Sequence, residues 1–286
     1  MQRNGVRAVE ARVRRALTIV AAGVAAGFLS LAPASTQAGE PRQFHLTYYG
    51  YLGDVQVGNL DVSFLLPNGA GIAQPYNIRA DLRLADAYAK LLPFRWQGEA
   101  QGGAGSDGVE PSRYRSAMDL LGKHEQVTVA YRPNGTVDVV SEPPTIQSNY
   151  AAEAGLGRNT IDPLSATVAI VDSLVRTGSC AANLPVFDGA RRFDLRLSPE
   201  GQDMVQRTYF STYEGPATRC SVDVKLIAGF RDDAMRSGFY PEQTDVWLAP
   251  VMENAPPVPV RILARSPAGI MRIDLIEVRA LAAATP

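Results

Sequence analysis

Residues 180–220 read CAANLPVFDGARRFDLRLSPEGQDMVQRTYFSTYEGPATRC and run between the only two cysteines of this 286-residue chain. Apolar and polar residues alternate on both sides of Phe187-Asp188-Gly189, which is the pattern of a β-hairpin with a tight turn. In an exported protein, two cysteines most simply form a disulfide. Because their spacing is not the C-x-x-C spacing typical of redox pairs, we predict that Cys180 and Cys220 form a structural cross-link.

The N-terminal residues have the order of a secretory signal peptide. Arg12, Arg14 and Arg15 precede an apolar run over 16–32, and small residues follow over 34–38. We expect cleavage near Ala38, after export by either the general secretory or the twin-arginine route. The mature protein, residues 39–286, is then predicted to be a soluble periplasmic protein with a single β-rich domain and no integral membrane span.

Charge excludes two classes of partner. The whole chain has a net charge of −1, and removal of residues 1–38 takes away five arginines and one glutamate, which leaves about −5. Without a basic cluster, the mature chain is a poor candidate for binding nucleic acid or for electrostatic docking on anionic lipid.

Alternating apolar and polar residues continue along most of the chain and predict about a dozen strands. Residues 78–84 show this alternation most clearly, and 208–213 are also predicted as a strand. A short helix is predicted over 85–92, a flexible hairpin tip over 102–108 and a long surface loop over 141–160.

One longer helix is predicted to begin at Pro163. Asp162 is a good N-cap, Gly178 suits the exit, and apolar residues recur at helical spacing between them. The predicted fold is therefore mainly β (α+β): a curved antiparallel sheet or half-barrel with one main helix packed against it.

Several phrases together resemble an exported bacterial family known as domain of unknown function 3108. They are Gly50-Tyr51-Leu52-Gly53 with Val57-Gly58, Asp162-Pro163-Leu164-Ser165, Val186-Phe187-Asp188-Gly189 before Arg192-Phe193-Asp194, and Pro259-Val260-Arg261-Ile262 before Gly269. The resemblance spans residues 44–278 and implies an exported β-rich protein without an assigned activity. By analogy of fold, it also implies a sheet curved around an apolar hollow that a helix plugs.

No catalytic residue, metal site or cofactor is predicted. His45 and His124 are the only histidines, no G-x-S-x-G sequence occurs, and the cysteines are assigned to the disulfide. The carboxylates that could pair for acid–base chemistry are mostly at positions typical of turns and solvent-facing strand residues; they include Asp54, Asp61, Asp188, Asp194, Asp232 and Asp233.

Aromatic residues on many strands could instead line one hollow for an apolar ligand, although each could equally fill the core. The candidate lining residues are Tyr48, Phe64, Trp96, Tyr114, Tyr209 and Trp247. The leading hypothesis is a non-catalytic binding protein for a lipid, another amphiphile or an envelope protein. The alternatives are an envelope hydrolase with paired carboxylates and a structural or assembly factor of the envelope.

Overall fold

The computed structural model describes residues 42–66, 74–144, 155–209, 211–230, 241, 243–252, 255–266 and 269–281. The predicted signal peptide and its cleavage site lie outside these ranges. The strands, in chain order, are β1 (Arg42–Leu52), β2 (Val55–Leu66), β3 (Gln74–Leu84), β4 (Phe94–Gly105), β5 (Gly108–Leu120), β6 (Lys123–Tyr131), β7 (Val137–Glu142), β8 (Ala182–Phe187), β9 (Arg192–Val205), β10 (Gly215–Ala228), β11 (Gln243–Pro250), β12 (Pro257–Ser266) and β13 (Gly269–Leu281). The helices are α1 (Asp86–Ala89) and α2 (Pro163–Thr177).

All thirteen strands form one antiparallel sheet in the order β7-β6-β5-β4-β3-β2-β1-β13-β12-β11-β10-β9-β8. Each strand pairs with its neighbour in sequence, except that β1 and β13 join the two halves in the middle and β7 and β8 are left as the edges. The sheet does not close into a barrel. This confirms the predicted mainly β fold with one long helix.

The chain between the two edge strands contacts both of them. Asn159 N donates to Gly135 O beside the start of β7, at 2.8 Å, while Ile161 N donates to Pro185 O of β8, at 2.9 Å. A Cβ atom on Gly157 would lie 2.3 Å from Val137 Cγ2 and 2.9 Å from Phe187 Cδ1. The segment over 155–162 therefore fits tightly between the edges and leads directly into α2.

Helix α2 begins and ends as its sequence predicts. The Asp162 carboxylate accepts hydrogen bonds from Leu164 N and Ser165 N, and Gly178 follows the last turn with a φ of 72°. Its apolar face, which includes Val168 and Val171, is buried against the inner face of the sheet.

No helix in the described parts of the chain is long and apolar enough to cross a membrane.

The disulfide is confirmed. Cys180 and Cys220 are bonded, with their Cα atoms 6.5 Å apart, and both are fully buried. The bond joins the chain just after α2 to β10, so it holds the C-terminal end of the helix against the second half of the sheet.

Three local predictions need correction. The short helix is confined to Asp86–Ala89, and the glycine-rich segment is mostly strand, since β4 continues to Gly105 and β5 begins at Gly108. Thr208, Tyr209 and residues 211–213 are not in a strand: Thr208 and Ser211 form an isolated bridge, and Tyr209 is in a turn. Residues 145–154 of the predicted long loop, and the carboxylates Asp232 and Asp233, lie outside the described ranges.

Candidate functional site

The inner face of the sheet and helix α2 enclose a pocket of about 250 Å³, called here the apolar pocket. Its walls come from β1–β4, from β9 and β11–β13, and from α2, so the two halves of the sheet both contribute. The lining residues are Leu46, Tyr48, Leu60, Val62, Phe64, Ile78, Ala80, Trp96, Leu164, Thr167, Val168, Ile170, Val171, Leu197, Val246, Leu248, Val258, Pro259, Ile262 and Ile273. No carboxylate, cationic side chain or histidine is among them.

Period-two alternation explains how the strands supply these walls. Phe44, Leu46 and Tyr48 of β1 face Phe64, Val62 and Leu60 of β2 across the ladder. Their neighbours in sequence, His45 and Thr47, face the other side. This polarity of the first strands was visible in the sequence, whereas the contribution of β11–β13 depends on the non-local pairing of β1 with β13.

Tyr48 brings a polar group to the apolar pocket. The residue is 4% exposed, and burial raises the pKa of its phenol. A tyrosine hydroxyl in the wall of a pocket can donate a hydrogen bond to a polar atom of a bound molecule.

Trp96 lies at the other side of the pocket, against α2. A Cβ atom on Gly98, two residues further along β4, would lie 2.6 Å from Trp96 Cη2 and 3.0 Å from Leu164 Cδ1. The indole therefore occupies space that only a glycine at position 98 leaves open.

Trp96 also borders a second, smaller pocket of about 140 Å³, called here the polar vestibule. It is lined by Trp96, Tyr114, Ser116, Met118, Glu125, Val127, Asp188, Ala190 and Arg191. The Asp188 carboxylate closes the β8–β9 turn by accepting from Ala190 N and Arg191 N, as its position before Gly189 predicts, and it pairs with the Arg191 guanidinium at 2.8 Å.

The six predicted lining residues have different outcomes. Tyr48, Phe64 and Trp96 border the apolar pocket. Tyr114 is on the same inner face but borders the polar vestibule.

Trp247 and Tyr209 do not border either pocket. Val246 borders the apolar pocket, so its neighbour Trp247 points to the outer face, where its indole donates to Asp203 at 2.8 Å. Tyr209 is 98% exposed because it lies in the turn between Thr208 and Ser211 rather than on a strand.

A buried polar network fixes the N-terminal end of α2 beside the pocket. Ser165 Oγ donates to Asp162 Oδ2 at 2.5 Å, and the Tyr76 hydroxyl, 2.7 Å away, donates to Ser165 Oγ. Loss of solvent raises the pKa of Asp162 to about 6, although its hydrogen bonds with Ser165 and Leu164 favour the ionised form. The network ties the helix to β3.

The outer face of β1–β5 forms a polar groove of about 620 Å³, called here the outer groove. Its carboxylates are held by arginines: Arg83 lies 2.7 Å from Asp61 and 3.4 Å from Asp81, and Arg79 lies 2.9 Å from Glu99. These carboxylates include Asp61, one of the residues considered for acid–base work.

The groove also contains a contact that sequence reasoning missed. His45 Nδ1 lies 3.0 Å from Ser63 Oγ, and His45 Nε2 lies 3.5 Å from Asp61 Oδ1. The three residues come together because His45 is directly opposite Ser63 in the β1–β2 ladder. Ser63 lies within a strand, however, rather than on a strained turn next to free backbone donors, as in serine hydrolases.

In the described residues, no three histidine, cysteine or carboxylate side chains are grouped so that they could hold a metal ion. His124 is on the surface, 2.7 Å from Asp119.

Solved structures with a similar arrangement have little sequence in common with this chain. One is a β-barrel-like protein of the domain of unknown function DUF1849 from Brucella abortus, with a TM-score of 0.45 and 11% identity over 84% of this chain and 98% of that one. Another is a DUF1329 family protein from Desulfovibrio piger, with a TM-score of 0.24 and 7% identity over 87% and 90% of the two chains. No curated protein matches the chain.

The family comparison is specific. The model for the protein of unknown function family DUF3108 matches residues 43–276, which is most of the chain and nearly the range over which the sequence phrases occur. The chain belongs to the DUF3108 family.

Proposed function

We propose that this protein is an exported, non-catalytic binding protein that holds the apolar part of an amphiphile or lipid between its sheet and α2. The apolar pocket, with Tyr48 in its wall, carries this proposal. Ligand sites in proteins are typically concave and mostly apolar, with few polar groups that orient the ligand.

The size of the apolar pocket limits the ligand. About 250 Å³ corresponds to about eight groups of the size of a water molecule. It is also slightly below the range of about 300–1,000 Å³ that is typical of pockets for drug-sized molecules. A single short alkyl chain fits this space, whereas a lipid with two long chains would need α2 to move.

Export to the periplasm is part of the proposal, with residues 39–286 as the mature protein. A buried disulfide persists in an oxidising compartment, which agrees with the signal peptide predicted from the sequence.

The proposal is tested with protein purified from its host without detergent. We expect organic extraction followed by mass spectrometry to release a single-chain amphiphile, and we expect the extracted protein to gain thermal stability when 1-octanol is added. Extracts without any amphiphile, together with an unchanged melting temperature, would contradict the proposal.

A second candidate, a hydrolase, is favoured by the contact between His45 and Ser63 in the outer groove. A histidine at this distance could accept the serine proton. Covalent labelling of the wild type by a fluorophosphonate, with no labelling of Ser63→Ala, would support this activity, whereas equal or absent labelling of both would remove it.

A further inference from the structure

Trp96 borders both the apolar pocket and the polar vestibule. The ladder register places six inner-face residues opposite one another in a row across β1–β6: Tyr48, Leu60, Leu82, Trp96, Met118 and Glu125. With neighbouring strands about 4.8 Å apart, the row spans about 24 Å along the sheet. It leads from the apolar pocket, past the indole, to an acidic side chain.

The charge of the polar vestibule is negative. Asp188 is paired with Arg191, but Glu125 has no hydrogen-bond or ion-pair partner among the residues that the structure describes. Glu125 is half-buried, so its carboxylate is less screened by solvent than a fully exposed one.

Aromatic rings complete the vestibule. Trp96 and Tyr114 both line it, and the faces of tryptophan and tyrosine rings attract cations, quaternary ammonium groups among them. Two aromatic rings with a spare carboxylate favour a cationic group and disfavour an anionic one.

We propose that the ligand is a single-chain amphiphile with a positively charged head group. Its chain occupies the apolar pocket, and its head group passes Trp96 and lies between the aromatic rings and Glu125. This inference rests on the proposed function, because it needs the apolar pocket to bind a chain.

The test compares three probes with the same eight-carbon chain: octyltrimethylammonium, 1-octanol and octanoate. Each is titrated calorimetrically into extracted, full-length mature protein at neutral pH. We expect octyltrimethylammonium to bind roughly fivefold more tightly than 1-octanol, as for a partly exposed ion pair, and octanoate to bind more weakly than either.

Glu125→Gln is the matched variant, since it removes the charge and keeps the shape. It should abolish the preference for octyltrimethylammonium over 1-octanol. Glu125→Lys should reverse the order and favour octanoate, which gives a second readout that does not depend on loss of binding.

The outcomes separate the two proposals. Equal affinities for the three probes, or a preference that survives in Glu125→Gln, would overturn the inference about the head group and leave the proposed function intact. If none of the probes binds, both are overturned.

Discussion

The two faces of strands β1–β4 differ in the polarity of their side chains. On the outer face, Asp61 and Asp81 share Arg83, and Glu99 is paired with Arg79. On the inner face, Tyr48 is the residue with a phenol group among the mostly apolar side chains that line the apolar pocket. The outer face therefore carries paired charges, whereas the inner face lines an apolar pocket.

The outer face has two clusters in which one aspartate lies between two arginines, and the clusters differ in their exposure to solvent. Asp81 lies between Arg83 and Arg95 and is 23% exposed. Asp274 lies between Arg261 and Arg272, each at 2.8 Å, and is 0% exposed. The connection from β9 to β10 reaches across this second cluster, where Thr212 Oγ1 donates to Ile276 O at 2.9 Å. The same charge pattern is therefore solvated in one cluster and buried in the other.

Loss of the disulfide should have the largest effect on the free energy of unfolding. The double variant Cys180→Ser/Cys220→Ser frees the end of α2 from β10, and the chain-entropy model gives a loss of about 4 kcal/mol for a loop of this length. Urea unfolding monitored by circular dichroism measures it. A loss below about 1 kcal/mol would mean that packing alone holds α2 on the inner face.

Loss of the buried carboxylate of Asp274, on the outer face, should have the second-largest effect on stability. Asp274→Asn leaves two mostly buried arginines without their shared counter-charge, and the free energy of unfolding should fall by about 3 kcal/mol. Asp81→Asn is the matched control and should cost less than about 1 kcal/mol, because its arginines are half exposed. Equal losses for the two variants in urea unfolding would contradict the claim that burial makes Asp274 more important for stability than Asp81.

Asp162, the N-cap of α2, should make the free energy of unfolding depend on pH. Its folded pKa, about 6, is above the ordinary value of 3.8, so protonation favours the folded state. This contribution is fully present below about pH 4 and is lost as the pH rises through about 6; it amounts to about 2 to 3 kcal/mol.

Asp162→Asn keeps an N-cap but cannot titrate. We therefore expect the unfolding free energy of the wild type, relative to this variant, to decrease between pH 4 and pH 6 and to level off above. A difference that stays constant over this range would show that the carboxyl group has an ordinary pKa.

Local patterns in the sequence predicted much of this architecture. The β8–β9 hairpin, the ends of α2 and the inward direction of Tyr48, Phe64 and Trp96 follow from turn residues, caps and alternation. These features depend on residues close together in the chain.

Features that depend on strand register, or on contacts between residues far apart in the sequence, could not be predicted. Val246 and Trp247 are both apolar, so alternation alone does not tell which of them faces inward. The meeting of His45 with Ser63 requires the β1–β2 register, and the pairing of Asp274 with Arg261 requires the β12–β13 register. Tyr209 falls in a run that reads as a strand but forms a turn.

The central claim, that the apolar pocket binds an alkyl chain, is tested most directly by filling it. Ala80 of β3 borders both the apolar pocket and the outer groove, but its side chain is on the same face as that of Ile78, which lines only the apolar pocket. Ala80→Leu therefore adds bulk to the apolar pocket, whereas Ala117→Leu adds the same bulk to the outer groove. In titrations with the fluorescent apolar probe N-phenylnaphthylamine, the wild type and Ala117→Leu should bind equally. Ala80→Leu should bind at least tenfold more weakly, since about two lost methylene contacts are worth that much. Undiminished binding by Ala80→Leu, with the fold intact by circular dichroism, would contradict the claim.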